Sequence, residues 1–231
     1  MNSLCRLASL DMAGTTVDEG GLVYRVLDDT VSDALGAPVP AALLARWKGT
    51  SKREAIAGLL TALGDSASEV RVSAVFDDFA QRLVSAYQET PPTPLPGVSD
   101  ALATLRASGV KVALQTGYSA EIAGAILVGL GWTVGCGADA VIDALVTSDQ
   151  VPASRPAPYL VFRTMEATGV QDVRSVLVAG DTPNDLAAGT NAGAGWVVGV
   201  LTGSFEKPAL AAVPHTHILA SVADLPELVF G

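Results

Sequence analysis

Three short stretches of this sequence place carboxylates and hydroxyls in patterns suited to metal or phosphoryl chemistry. The first is Asp11-Met-Ala-Gly-Thr-Thr16, which follows an apolar run from Leu4 to Leu10. A carboxylate at the end of a buried strand, before a Gly turn, is held rigidly and exposed at its tip. It can attack as a nucleophile or hold a hard cation through oxygen. A turn with a capping Asp is the plainer reading of the same pattern. The second stretch is Gly180-Asp-Thr-Pro-Asn-Asp185. Asp181 again ends a strand, and Thr182 can cap a helix whose first position is Pro183. Asp181 and Asp185, four residues apart, can share one face near a cation; simple capping is the alternative. The third is Gln115-Thr-Gly-Tyr-Ser119. Thr116 offers a hydroxyl, Gly117 admits close backbone approach, and Ser119 is suited to cap the next helix. N–H groups at a helix start make a seat for phosphate.

These groups need a scaffold that brings distant segments together. After the first strand, the chain reads as helical from about Asp18 to Glu89. Then Thr90-Pro-Pro-Thr-Pro-Leu-Pro-Gly97 interrupts it, since so many prolines cannot continue a helix. Beyond it, helices and strands alternate. Helices are expected at Val98–Ser108, Ser119–Leu130, Ala157–Thr168 and Pro183–Ala192. Strands are expected at Lys111–Leu114, near Ala140–Ile142, at Ser175–Ala179, at Trp196–Val200 and near His217–Leu219. Such alternation predicts an α/β fold with a parallel sheet and helices on both faces. The helical block after the first strand predicts an inserted cap. The division expected is a core of residues 1–17 and 93–231 with a cap of residues 18–92. In open parallel sheets, ligands bind beyond the carboxyl ends of the strands. Asp11, Thr116 and Asp181 each follow such an end, and Arg155 follows a loop after another.

Composition narrows the function further. The chain has 231 residues, with 14 Lys plus Arg against 24 Asp plus Glu, a net charge of −10. That balance argues against a nucleic-acid surface, which needs a basic patch. It leaves room for an anionic substrate, because a local site can oppose the global sign. Hydrophobic residues are 49% and charged residues 16%, which excludes disorder. Cys5 and Cys136 cannot form a disulfide framework, and a cytoplasmic location is expected. The charge-free stretch from Ile122 to Ala138 is broken by glycines and is shorter than the ~20 residues of a membrane span, so a buried helix and loop, and no membrane partner, are expected. Cys136 reads as a buried thiol, Trp47 as cap packing and the Asp77-Asp78 pair as a solvated helix face. His215 and His217 have no carboxylate or cysteine motif beside them, which leaves little case for a metal there.

Together the order of nucleophile, helical insert, Thr, cation and paired acids resembles the haloacid dehalogenase superfamily of aspartyl phosphotransferases, over nearly the whole chain. The resemblance implies a Rossmann-like core with a helical cap, and a Mg2+ cofactor bound by Asp11, the Ala13 carbonyl and Asp181. Asp185 would support the metal site or the phosphate-binding cation. Asp11 would attack phosphorus, with Thr116 and the Gly117 N–H holding phosphoryl oxygens. Most phosphatases of the superfamily carry a second Asp two residues after the nucleophile; here that residue is Ala13. Asp-x-Ala-Gly-Thr-Thr-Val-Asp is similar to the phosphonoacetaldehyde hydrolase (phosphonatase) family, whose members cleave a C–P bond with the help of a cap lysine imine.

Lys52 stands at the matching position. Ser51 and Glu54 form a capping box that puts Lys52 first in a helix. The helix dipole, with Arg53 and Lys48 nearby, is expected to disfavour its charged form. A residue that only grips the substrate anion is the alternative. Arg155 before Pro-x-Pro, and Tyr118 after Thr-Gly, also match that branch. Arg155 stays charged and offers a planar fork to phosphate oxygens. Departures are Ala55, Gly21 and Lys48, where the family has histidine, cysteine and methionine. The expectation is therefore a hydrolase of a small phosphonate, with a phosphatase acting on a small phosphate ester as the alternative. A homodimer is what phosphonatases suggest.

Overall fold

The computed structural model describes residues 5–137 and 139–231. Leu4 and Ala138, which bound two of the stretches above, lie outside the described residues. Strands Leu7–Asp11 (β1) and Val17–Asp18 (β2) come first. Helices Leu22–Leu35 (α1), Ala41–Ala45 (α2), Lys52–Ala62 (α3) and Glu69–Glu89 (α4) follow. Thr93–Pro94 (β3) then opens an alternating series. It runs through Val98–Ala107 (α5), Lys111–Gln115 (β4), Ala120–Leu130 (α6), Ala144–Val146 (β5) and Tyr159–Thr168 (α7). It continues with Val176–Gly180 (β6), Pro183–Ala192 (α8), Trp196–Val200 (β7), Lys207–Ala211 (α9), His217–Leu219 (β8) and Leu225–Phe230 (α10).

Among the described residues, six strands form one sheet in the order β5-β4-β1-β6-β7-β8, and every pairing in it is parallel. A strand buried on both faces reads as a continuous apolar run. Hence β1 and β6 are buried along their whole length. Ser9, a polar residue inside β1, accepts a hydrogen bond from the Thr164 hydroxyl of α7 at 3.0 Å. β1 lies between β4 and β6, so the carboxyl ends of all three are adjacent. Asp11 sits opposite Gln115, one residue before Thr116.

β2 and β3 pair antiparallel, with Val17 opposite Pro94 and Asp18 opposite Thr93. The chain departs into the four helices and returns at this ribbon. Part of the proline-rich segment is thus a strand. The helices bury Val23, Leu27, Ile56, Leu59, Phe79 and Leu83 in a cluster continuous with Leu10 of β1 and Leu114 of β4. Trp47 packs there: a Cβ on Gly58 of α3 would lie 1.7 Å from its indole.

The structure corrects several sequence expectations. The strand placed near Ala140–Ile142 is β5, at Ala144–Val146. Ile142 instead makes an isolated bridge with Val134, and Asp143 takes the next step of the ladder with its side chain, which accepts from the Val112 N–H at 2.9 Å. Ser119 sits at the start of α6 but makes no cap hydrogen bond. The Asp149 carboxylate accepts from the Ala120 N–H in its place, at 3.2 Å. Cys136 is exposed rather than buried. No helix among the described residues is long and apolar enough to cross a membrane.

Helix propensity by itself makes Gly58→Ala stabilising by about 1 kcal/mol. Overpacking against Trp47 outweighs that, at about 1–3 kcal/mol. We expect a lower thermal midpoint and altered tryptophan emission; an unchanged melt and spectrum would show that the indole is not seated on α3.

Candidate active site

The carboxyl end of β1 is shaped by the turn that follows Asp11. The Met12 carbonyl accepts from the N–H groups of Thr16 and Val17, both at 2.9 Å. The Thr16 hydroxyl donates to the Asp11 carbonyl at 2.9 Å. Gly14 takes a φ of 78°, and a Cβ there would lie 2.9 Å from Asp181 Oδ2. Glycine therefore allows the turn to close against the neighbouring strand end.

Asp181 follows β6, and Thr182 and Asp185 form a reciprocal capping box on α8 with Pro183 at its start. The helix thus carries Asp185 back over the sheet. Carboxylate oxygens of Asp11, Asp181 and Asp185 all lie within 4.8 Å of one another. Arg155, only 4% exposed, donates from Nη1 to Asp11 Oδ1 at 2.7 Å and to Asp185 Oδ1. Its Nε is buried without a protein partner. Asp181 accepts from the Ser204 N–H at 2.6 Å and from the Thr15 hydroxyl at 3.4 Å.

Burial and crowding set the protonation of these groups. Asp11 is pushed up to about 6, chiefly by burial, with Arg155 opposing and Asp185 reinforcing the shift. Asp181 is pushed up to about 7 by burial and by the charges of Asp11 and Asp185. Closely packed hard oxygen donors that resist carrying their charges fit a divalent cation of the Mg2+ type.

The pocket also has a wall from the helical block. Lys52 is the first residue of α3, and the Ser51–Glu54 capping box is present. Lys52 is 5% exposed and donates to the Thr50 carbonyl at 3.4 Å. Its Nζ stands 4.8 Å from the centre of the Tyr24 ring and 5.8 Å from that of Tyr118. Its pKa is lowered to about 8 by burial first and then by the Arg155 charge. The expected direction is present, but the cause differs. Arg53 points away, to Glu69 and to Ser73 at 2.7 Å.

The loop before α3 sits directly on the sheet side. A Cβ on Gly49 would lie 2.5 Å from Thr182 Oγ1, and one on Gly117 would lie 2.8 Å from the Thr50 carbonyl oxygen. Asn184 donates to the Lys48 carbonyl at 3.0 Å. The hydroxyls of Tyr87 and Tyr118 meet at 3.1 Å. Thr116 Oγ1 accepts from the Tyr118 N–H at 3.1 Å.

The result is a cavity of about 370 Å³ whose walls include Asp11, Ala13, Lys52, Thr116, Gly117, Tyr118, Arg155 and Asp181. Asp185 lies behind that wall, fully buried. Asp11, Ala13, Lys52, Thr116, Gly117, Tyr118, Arg155, Asp181 and Asp185 are thus within or against one site, whereas His215, His217 and Ser119 do not line it. Tyr118 is buried with its hydroxyl paired, and it lines the cavity. Sequence reading missed Glu19, Tyr24, Gly203 and Ser204, which also line the cavity. Gly203 is required because a Cβ there would lie 2.0 Å from Asp181 Oδ2. Its only sequence signal was a Thr-Gly-Ser segment just after a strand.

A parallel sheet with an acidic cluster at its switch point, fed by an inserted helical block, defines the class. The chain belongs to the haloacid dehalogenase-like hydrolases, whose family profile matches residues 5–193, and it is a hydrolase. Phosphonoacetaldehyde hydrolase of Bacillus cereus is 29% identical over 211 residues, covering 85% of this chain and 75% of that protein. Two solved structures share the fold. A phosphonoacetaldehyde hydrolase-like protein from Oleispira antarctica superposes with a TM-score of 0.83 at 22% identity, over 99% of this chain and 92% of that one. A predicted phosphoglycolate phosphatase from Haemophilus somnus gives 0.75 at 19% identity, over 98% of both chains.

A carboxyl whose folded pKa is raised contributes stability at low pH that is lost as pH rises through the folded value. For Asp11 and Asp181 that loss runs from about pH 4 to about 6 and about 7. In chelator, these two groups should lower the melting temperature between pH 5 and pH 8. Added Mg2+ should raise it, and more at pH 8, where protons no longer compete. An equal Mg2+ effect at the two pH values would argue against the carboxylates as the binding group.

Proposed function

We propose that this hydrolase is a Mg2+-dependent enzyme of the phosphonatase type, acting on a small phosphonate such as phosphonoacetaldehyde. In this reading residues 1–17 and 93–231 are the core and residues 18–92 the cap. One observation carries it: a buried lysine with a lowered pKa shares the cavity of Asp11, while Ala13 stands where a leaving-group acid would be. Cleaving an ester without an acid forces an alkoxide to leave. Cleaving a C–P bond through an imine does not.

The roles follow from position. The neutral amine of Lys52 attacks the substrate aldehyde and, with loss of water, forms an iminium. Asp11 attacks phosphorus in line; the C–P electron pair flows into the iminium, leaving an enamine on Lys52 and an aspartyl-phosphate. Water then hydrolyses both. Thr116, the Gly117 N–H and the Arg155 guanidinium bind phosphoryl oxygens, and the partnerless Nε of Arg155 gives that role a free donor. Tyr118 forms the wall between lysine and phosphate sites. Asp11, the Ala13 carbonyl and Asp181 would hold Mg2+, with Asp185 fixing Arg155 behind them. The cation supplies charge neutralisation for the transferring phosphoryl group.

A phosphatase of a small phosphate ester is the second reading, with Lys52 gripping the anion only. Lys48 favours it: this residue adds a second cation to the cavity wall where relatives have methionine.

Two outcomes test the assignment. With Mg2+, phosphonoacetaldehyde and borohydride, the protein should release phosphate and acetaldehyde and gain a reduced adduct on Lys52, mapped by mass spectrometry. Lys52→Arg and Asp11→Asn should each lower C–P cleavage by about three orders of magnitude or more, and Lys52→Arg should remove the adduct. No adduct, with Asp11-dependent hydrolysis of a phosphate ester, would make the phosphatase reading the correct one. At sub-saturating aldehyde, where addition of the amine limits, the rate of trapping should also climb with pH and level off above about 8, the value at which Lys52 loses its proton. A flat profile between pH 6 and 9 would mean that this amine is not the nucleophile.

A further inference from the structure

Glu19 lies in the same cavity, on the loop between β2 and α1, and nothing above gives it a task. It is half-buried, and its Oε2 accepts from the Val23 N–H at 2.8 Å. It lies beside the Tyr87 hydroxyl, which meets that of Tyr118 at 3.1 Å. Glu19 and Lys52 attract each other electrostatically. Both residues line this one cavity, and no ion pair joins them among the described residues.

Imine formation needs such a neighbour. When the amine adds to the aldehyde, the product is a carbinolamine, and its hydroxyl leaves only with an added proton. Asp11, Asp181 and Asp185 are occupied by Arg155 and by the cation site proposed above. Arg155 stays charged under its two carboxylate partners. Tyr24 and Tyr118 are driven well above their ordinary range by burial and are poor acids. Lys48 Nζ is held over the Tyr24 ring, 5.1 Å from its centre. Asp18 is exposed and accepts from the Gly20 N–H at 2.9 Å. Ala55, where relatives have histidine, is buried in the helical core and offers nothing.

Building on the imine reading, we infer that Glu19 is a catalytic acid–base residue, which protonates the carbinolamine hydroxyl of the Lys52 adduct. The Glu19 carboxyl gives one proton, the hydroxyl leaves as water, and the nitrogen lone pair forms the C=N bond. After C–P cleavage the enamine carbon takes a proton from solvent to give a new iminium; water adds to it, and the Glu19 carboxylate takes one proton back. Burial, the largest influence on this group, raises its pKa and favours the protonated form that the first step uses.

A structural duty is the competing account, because the same carboxylate caps the start of α1 through Val23. Glu19→Gln separates the two, since the amide keeps an acceptor oxygen but cannot donate an acid proton. The measurement is the rate of borohydride-trapped adduct formation with Mg2+ and phosphonoacetaldehyde, followed over aldehyde concentration. Glu19→Gln should lower the saturating rate about 100-fold, while the half-saturating concentration changes less than about threefold. Its thermal midpoint should stay within about 2 °C of the parent. Glu19→Asp, which keeps a carboxyl but shortens the cap, should recover at least about tenfold over the amide. Parent-like trapping by Glu19→Gln, or equal slowing by both variants, would overturn the role of Glu19 and leave the imine intact. Absence of a Lys52 adduct in the parent protein would overturn both.

Discussion

Carboxylate oxygens of three residues that converge within 4.8 Å in a buried place repel one another strongly unless positive charge joins them. Much of this structure is organised around that demand. Arg155 meets part of it by bridging Asp11 and Asp185. The Ser204 N–H and the Thr15 hydroxyl meet part of it at Asp181. The remainder is a standing preference for a cation or a proton, visible in the raised pKa values of Asp11 and Asp181. A buried site that holds unmet negative charge favours a bound cation.

The same dry setting acts in the opposite sense on the lysine. Desolvation disfavours whichever form is charged, so it raises carboxyl pKa values and lowers that of an amine. Lys52 feels the extra push of Arg155, the very cation that relieves the acids. One arginine thus acts on both groups: it favours the anion of Asp11 and the neutral form of Lys52. Replacing it would disturb the two in opposite directions.

Bringing the two halves together depends on close backbone approach across the seam. Gly49 against Thr182, and Gly117 against the Thr50 carbonyl, leave no room for a Cβ. The Tyr87–Tyr118 hydroxyl pair and the Asn184 bond to the Lys48 carbonyl fasten the same seam with polar contacts. The β2–β3 ribbon limits how the helical block can move, because departure and return are adjacent. Glu19 sits just after that ribbon, where a side chain can face both halves.

The parallel sheet, the helical insert and the positions of Asp11, Thr116, Asp181 and Lys52 were legible in the sequence, because they rest on local rules. Apolar runs end in Gly turns, capping boxes open α3 and α8, and helices alternate with strands. Local rules erred where a tertiary partner took over: Asp149 supplanted Ser119 as the cap of α6, and the Asp143 side chain displaced β5 along the chain. The pKa of Lys52 was foreseen in direction from its place on a helix. Its cause, burial beside Arg155, is a long-range contact that no local spacing encodes. Glu19, Tyr24 and Gly203 went unread for the same reason: each is an ordinary loop or helix residue until the chain folds it against the site. Residue types and spacing determined which chemistry was available. Only the packing of the helical block on the sheet decided which groups share one dry cavity, because desolvation and charge coupling depend on distance in space and not along the chain.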